Sequence, residues 1–179
     1  MSHLLDMCFD KMTIKKHKGS GCLTKYEKLL DKAKENNVTI YEKYDLSGTR
    51  LQGLYCDGSI ALSNGLETEA EKFSILNEEM GHHFTSTGDI IDMSDTSNRK
   101  QELRARLWGY NNAIGLSGII RAYKHGCRSR QDMADFFGVS EQYLCEALET
   151  YTAKYSPFTQ VDNYVIYFEP SLGVLEIQK

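Results

Sequence analysis

Residues 78–82 read Glu-Glu-Met-Gly-His, so two carboxylates and an imidazole fall within five positions. On a helix, residues four apart leave one face with their Cβ atoms about 6 Å apart. Glu78 and His82 can therefore grip one metal ion, as the two histidines of His-Glu-x-x-His do. Glu79 and His83 offer a second register with the same spacing. Hydrolysis favours the first, because a metal-bound water needs a carboxylate beside it as general base. That residue follows the first ligand, and it is Glu79 in the first register but Met80 in the second. Catalytic zinc takes three protein ligands and leaves one position for water. Glu102 is the candidate third ligand: Ala105 and Gly109, three and seven residues on, would let its helix approach closely. Asp89 and Asp92, in a polar loop, are the alternatives. The same spacing also fits a solvated acidic helix with a hydrogen-bonded His82.

The elements that must position these groups can be read from periodicity. A helix is expected over about 68–86, with Phe73, Leu76, Met80 and Phe84 on one stripe. Glu78 and His82 lie nearly opposite that stripe, and Ile75 between them indicates that their side is covered too. Another helix, roughly 99–114, carries Glu102. Upstream, Leu23, Tyr26, Leu29, Leu30 and Ala33 mark a helix stopped by Asn36-Asn37, and residues 38–41 have strand character. Residues 51–55 and 59–62 flank Asp57-Gly58 as a hairpin, and 59–62 is the candidate edge strand for an extended substrate, the alternative being an ordinary strand of the sheet. Downstream come a helix near 117–125, a helix–turn–helix-like stretch over 129–155, and two short strands at 164–168 and 173–177. The would-be reading helix carries Glu141, Glu146 and Glu149, which phosphates repel, so no direct nucleic-acid contact is expected.

Composition sets the frame. With 179 residues, 41% of them apolar, the chain can build one domain with a real core. Residues 22–179 form that domain. Residues 1–21 stand apart as an extension, natural or artificial, ending in Lys15-Lys16-His17-Lys18 and Gly19-Ser20-Gly21; the other reading is a basic arm for a partner. Five scattered cysteines without a C-x-x-C pair read as free thiols of a reducing, cytoplasmic compartment. No apolar run nears the roughly 18–20 residues that span a bilayer, so no membrane association is expected. A net charge of −4 gives no overall footprint for nucleic acid.

The stretch "LNEEMGHHFTSTGDI" followed by "NRKQELRARLWGYNNAIG" closely resembles ImmA/IrrE-type metallopeptidases, especially small ones of phages and mobile elements. Glu102, Ala105 and Trp108 match the Glu-x-x-Ala-x-x-aromatic pattern of their second helix. Glu78 stands where the better-studied members have histidine. The resemblance implies an α+β, zincin-like domain: a small antiparallel sheet packed on the metal-binding helix, with a helical C-terminal half. It implies zinc on Glu78, His82 and Glu102, with Glu79 as general base. Carboxylate-rich ligation makes manganese the alternative metal. The implied substrate is a helix–turn–helix repressor, whose cleavage derepresses the element. The rival reading is a metallopeptidase scaffold that captures a repressor without cutting it.

Overall fold

The computed structural model describes residues 22–85 and 95–178. Residues 1–21, together with Asp89 and Asp92, lie outside the described residues.

The first helix, α1 (Lys25–Glu35), begins where its sequence provides a reciprocal cap. The Thr24 hydroxyl accepts from the Glu27 N–H, and the Glu27 carboxylate accepts from the Thr24 N–H. Asn37, at a φ of 58°, turns the chain into β1 (Thr39–Tyr44). The expected hairpin is present as β2 (Gly53–Cys56) and β3 (Ser59–Ser63). Asp57 and Gly58 both have positive φ, 41° and 76°, the condition for a two-residue turn that matches strand twist.

Two expectations about this sheet are corrected. It is mixed rather than antiparallel: its order is β1-β3-β2, with β1 parallel to β3 and β2 antiparallel to it. Residues 59–63 therefore form the central strand, and cannot be the edge that receives a substrate. The reason lies in the composition of β3. Ile60, Ala61 and Leu62 are all buried, whereas an edge strand with one wet face would alternate. The strand that packs beside the helix that follows and has an edge unpaired among the described residues is β2.

Helix α2 (Glu69–Thr85) carries the Glu78–His82 run, and Glu71 caps it through the Thr68 hydroxyl and N–H. Phe73, Leu76 and Met80 are buried as the periodicity predicts, but so are Ser74, Asn77 and Glu79. Partners on more than one side explain this, because β2, β3 and α3 (Asp95–Ala113) all pack on α2. Phe84 stacks on Trp108 of α3 at 4.6 Å.

Helices α4 (Leu116–His125), α5 (Arg130–Phe137) and α6 (Glu141–Tyr155) follow, the last two joined through Gly138 at a φ of 66°. This is the helix–turn–helix-like stretch, and α6 turns Tyr143, Leu144, Ala147 and Tyr151 into the core. The C-terminal half is not wholly helical. Strands β4 (Phe158–Val161), β5 (Tyr164–Tyr167) and β6 (Gly173–Glu176) form an antiparallel meander, one strand more than expected. In β4 the pattern is short and exposed at Phe158, so only its pairing to β5 across the turn at Asp162 (φ 52°) reveals it. One core, including Leu29, Leu62, Leu76, Phe137, Leu144 and Ile166, joins the α1–sheet part to the C-terminal part. Among the described residues no helix is long and apolar enough to cross a membrane.

Candidate metal centre

The site rests on the contact between α2 and α3, and two glycines set how close it is. A Cβ on Gly81 would lie 2.1 Å from the Ala105 carbonyl oxygen, and one on Gly109 would lie 2.8 Å from that of Asn77. Gly81 meets Ala105 while Asn77 meets Gly109, so the helices run antiparallel with backbones touching. The small residues expected on the Glu102 face thus do what their size allows. Asn112 adds a clasp, donating from Nδ2 to Asn77 Oδ1 at 2.7 Å.

This approach brings Glu78, His82 and Glu102 to one half-buried crevice. His82 Nε2 lies 3.5 Å from Glu102 Oε2. Glu78 and Glu102 face each other across one guanidinium: Arg106 Nε is 2.7 Å from Glu102 Oε1 and 3.3 Å from Glu78 Oε1. The second register points elsewhere. His83 meets the Tyr55 hydroxyl through Nδ1 at 3.2 Å and packs edge-on against that ring, on the β2 side of α2.

Glu79 also turns to the sheet. A Cβ on Gly53 would fall 2.7 Å from Glu79 Oε1, so glycine at that position of β2 leaves room for the carboxyl. Burial pushes the Glu79 carboxyl up to about 8, with the Glu78 charge adding to the rise, while the Tyr55 backbone N–H works against it and Glu102 contributes a little more. A carboxyl that titrates near neutrality is suited to taking and returning a proton. Glu78 is also raised, chiefly by burial, with Arg106 opposing.

Among the described residues, no three His, Cys, Asp or Glu side chains are gathered tightly enough to hold an ion as they stand. The chemistry of the donor set nevertheless fits a divalent cation. One imidazole and two carboxylates are the ligand types of zinc and, with so much oxygen, of manganese. A positive charge already lies between the two carboxylates, namely the Arg106 guanidinium.

Arg106 escapes a motif-based reading because it is four residues after Glu102, where it looks like an ordinary helical ion pair. Glu146 of α6, expected on an exposed acidic face, instead accepts from Gln142 at 3.0 Å and from the Tyr110 hydroxyl at 3.5 Å. The neighbouring Tyr143 hydroxyl is buried without a partner among the described residues.

The IrrE N-terminal-like domain, a peptidase family, matches residues 32–149, more than half of the chain. The chain belongs to the ImmA/IrrE family. No curated protein and no solved structure matches it. In this ImmA/IrrE chain the matched stretch begins inside α1 and ends within α6. It takes in the mixed sheet, both site helices and the α5–α6 pair, and it leaves out β4–β6. The family is generally metal-dependent, and the matched stretch contains Glu78, Glu79, His82, Glu102 and Arg106.

The raised Glu79 carboxyl has a consequence for the metal-free ImmA/IrrE chain. Its folded value lies above the ordinary 4.5, so the folded state holds this proton more tightly than the unfolded state does. The resulting stabilisation is complete below about pH 4 and is lost as pH rises through about 8. In excess chelator, wild type should lose on the order of a few kcal/mol across that window, a loss that Glu79→Gln should reduce to the smaller share left by the raised Glu78. Urea denaturation at a series of pH values checks this. Parallel pH slopes for the two proteins would contradict it.

Proposed function

We propose that this chain is a metal-dependent endopeptidase of zincin-like plan, with Glu78, His82 and Glu102 holding zinc, or manganese, and Glu79 as general base. The observation that carries this reading is the meeting of Glu78 and His82 with Glu102 across the α2–α3 contact, with a buried carboxyl of near-neutral pKa next along α2. When bound, the metal supplies a polarised peptide carbonyl and an acidified water. Glu79 takes the proton from the attacking water and returns it to the leaving amine. The two transfers need one group that is a base in the first step and an acid in the second; burial raises the Glu79 carboxyl in the metal-free chain, and the charge of a bound cation would favour its ionised, basic form. The open edge of β2, next to Glu79, is the place for an extended substrate to add as a further strand.

The proposed substrate is a helix–turn–helix repressor protein, on the strength of the likeness of residues 76–90 and 98–115 to the phage and mobile-element members. Its site of action is the cytoplasm, and the chain does not itself contact DNA. The experiment that tests the metal centre is elemental analysis of protein purified without chelator or metal-affinity resin. About one zinc per chain is expected in wild type, the stoichiometry of a three-ligand site, and little in His82→Ala. Sub-stoichiometric metal in both proteins would sink the enzyme reading.

A further inference from the structure

The crevice that collects the proposed ligands also holds a cation of its own. Arg106 reaches Glu102 from one turn further along α3 and Glu78 from across the helix contact, both through Nε. A helical surface pair would engage Glu102 alone. Here one guanidinium pairs with two carboxylates from two helices, within reach of both, where a shared cation would also bind.

We propose that Arg106 is a built-in counter-cation that holds Glu78 and Glu102 together in the metal-free chain and has to leave for a metal ion to bind. The site then has two states, one closed by arginine and one loaded with metal. The inference rests on the metal-centre reading above and adds to it a competition internal to the protein. Three features make the exchange feasible. The Arg106 side chain is 45% exposed, so it can swing to solvent by rotating its own bonds, with no helix movement. Without it, Glu78 and Glu102 would repel each other across a half-buried gap, so the metal-free chain gains from keeping it there. The guanidinium is too exposed for a tight lock, since pairs of this kind are worth little against screening by water and salt. An arginine of that strength tunes metal occupancy without preventing it.

The test uses the full chain as wild type, Arg106→Gln and Arg106→Lys, with zinc affinity measured by competition against a chromogenic chelator. Arg106→Gln should bind zinc about three- to tenfold more tightly, the range for losing a half-exposed double ion pair. Arg106→Lys, which keeps the charge but not the planar fork, should fall between. Thermal unfolding supplies a second readout that a merely structural arginine would not give. In chelator Arg106→Gln should melt below wild type, and saturating zinc should close the gap, because the loaded site no longer uses the arginine. Equal zinc affinity in the three proteins, or a melting gap of the same size with and without zinc, would overturn the proposal and leave the metal centre standing. No zinc binding by any of the three would remove the metal centre and the competition together. Should Arg106→Gln fail to fold, the comparison of Arg106→Lys with wild type decides on the same two readouts.

Discussion

Glu79→Gln should reduce repressor cleavage by about 10²–10⁴-fold while leaving fold, metal content and partner binding intact. The size follows from the role: a positioned general base that also returns the proton contributes to both transfers, and an amide can do neither. The selectivity follows from the structure. Glu79 is buried against β2, and in the metal-free chain burial raises its carboxyl, so glutamine closely reproduces its shape and polarity there. It faces other groups than the proposed ligands do: Glu78 and Glu102 share Arg106, while Glu79 turns to Gly53 and Tyr55. The measurement is a gel-based cleavage assay on a cognate helix–turn–helix repressor with zinc or manganese, alongside binding and elemental analysis of both proteins. Cleavage by the variant at the wild-type rate would remove Glu79 from the mechanism. Binding by both proteins with cutting by neither, under either metal, would make this a capture scaffold.

The meeting of Glu78, His82 and Glu102 was legible because it depends on local rules. Four-residue spacing puts Glu78 and His82 on one face, and the small Ala105 and Gly109 announce a helix that can come close. The stop at Asn36-Asn37 and the Asp57-Gly58 turn are equally local, and both positions do take positive φ at Asn37, Asp57 and Gly58. What could not be read was which partner fills a given side. The apolar run Ile60-Ala61-Leu62 marks a strand covered on both faces, but its place in the middle depends on β1 returning parallel to it, which no hairpin signal encodes. Arg106 is the clearest case. Its pairing with Glu102 lies within one helix and was visible in principle; its pairing with Glu78 exists only because α2 and α3 touch. Glu146 likewise looked like solvated charge until α6 was seen to turn it toward Tyr110.

The same contact predicts the largest structural effect. Gly81→Ala should destabilise the chain by about 1–2 kcal/mol net and weaken zinc binding with it, although alanine is the better helix former. A Cβ at this position would sit 2.1 Å from the Ala105 carbonyl oxygen, a backbone atom that cannot rotate away as a flexible side chain would. The helices must then part by on the order of an ångström, and close-packed interiors resist this at a typical cost of 1–3 kcal/mol or more. Against that, the gain in helix propensity is about 1 kcal/mol, so the steric cost wins. Parting the helices also draws Glu102 away from Glu78 and His82, so the loss should reach the metal, which no stability effect confined to α2 would do. Gly109→Ala should act in the same direction but less, since its Cβ would stand 2.8 Å from the Asn77 oxygen. Gly48→Ala, with nothing within 4 Å of the added atom, is the neutral control. Urea denaturation in chelator gives the stability order, and chelator competition gives the zinc order. If Gly81→Ala matches wild type in both, α2 and α3 do not meet backbone to backbone, and Glu102 loses its route to the site.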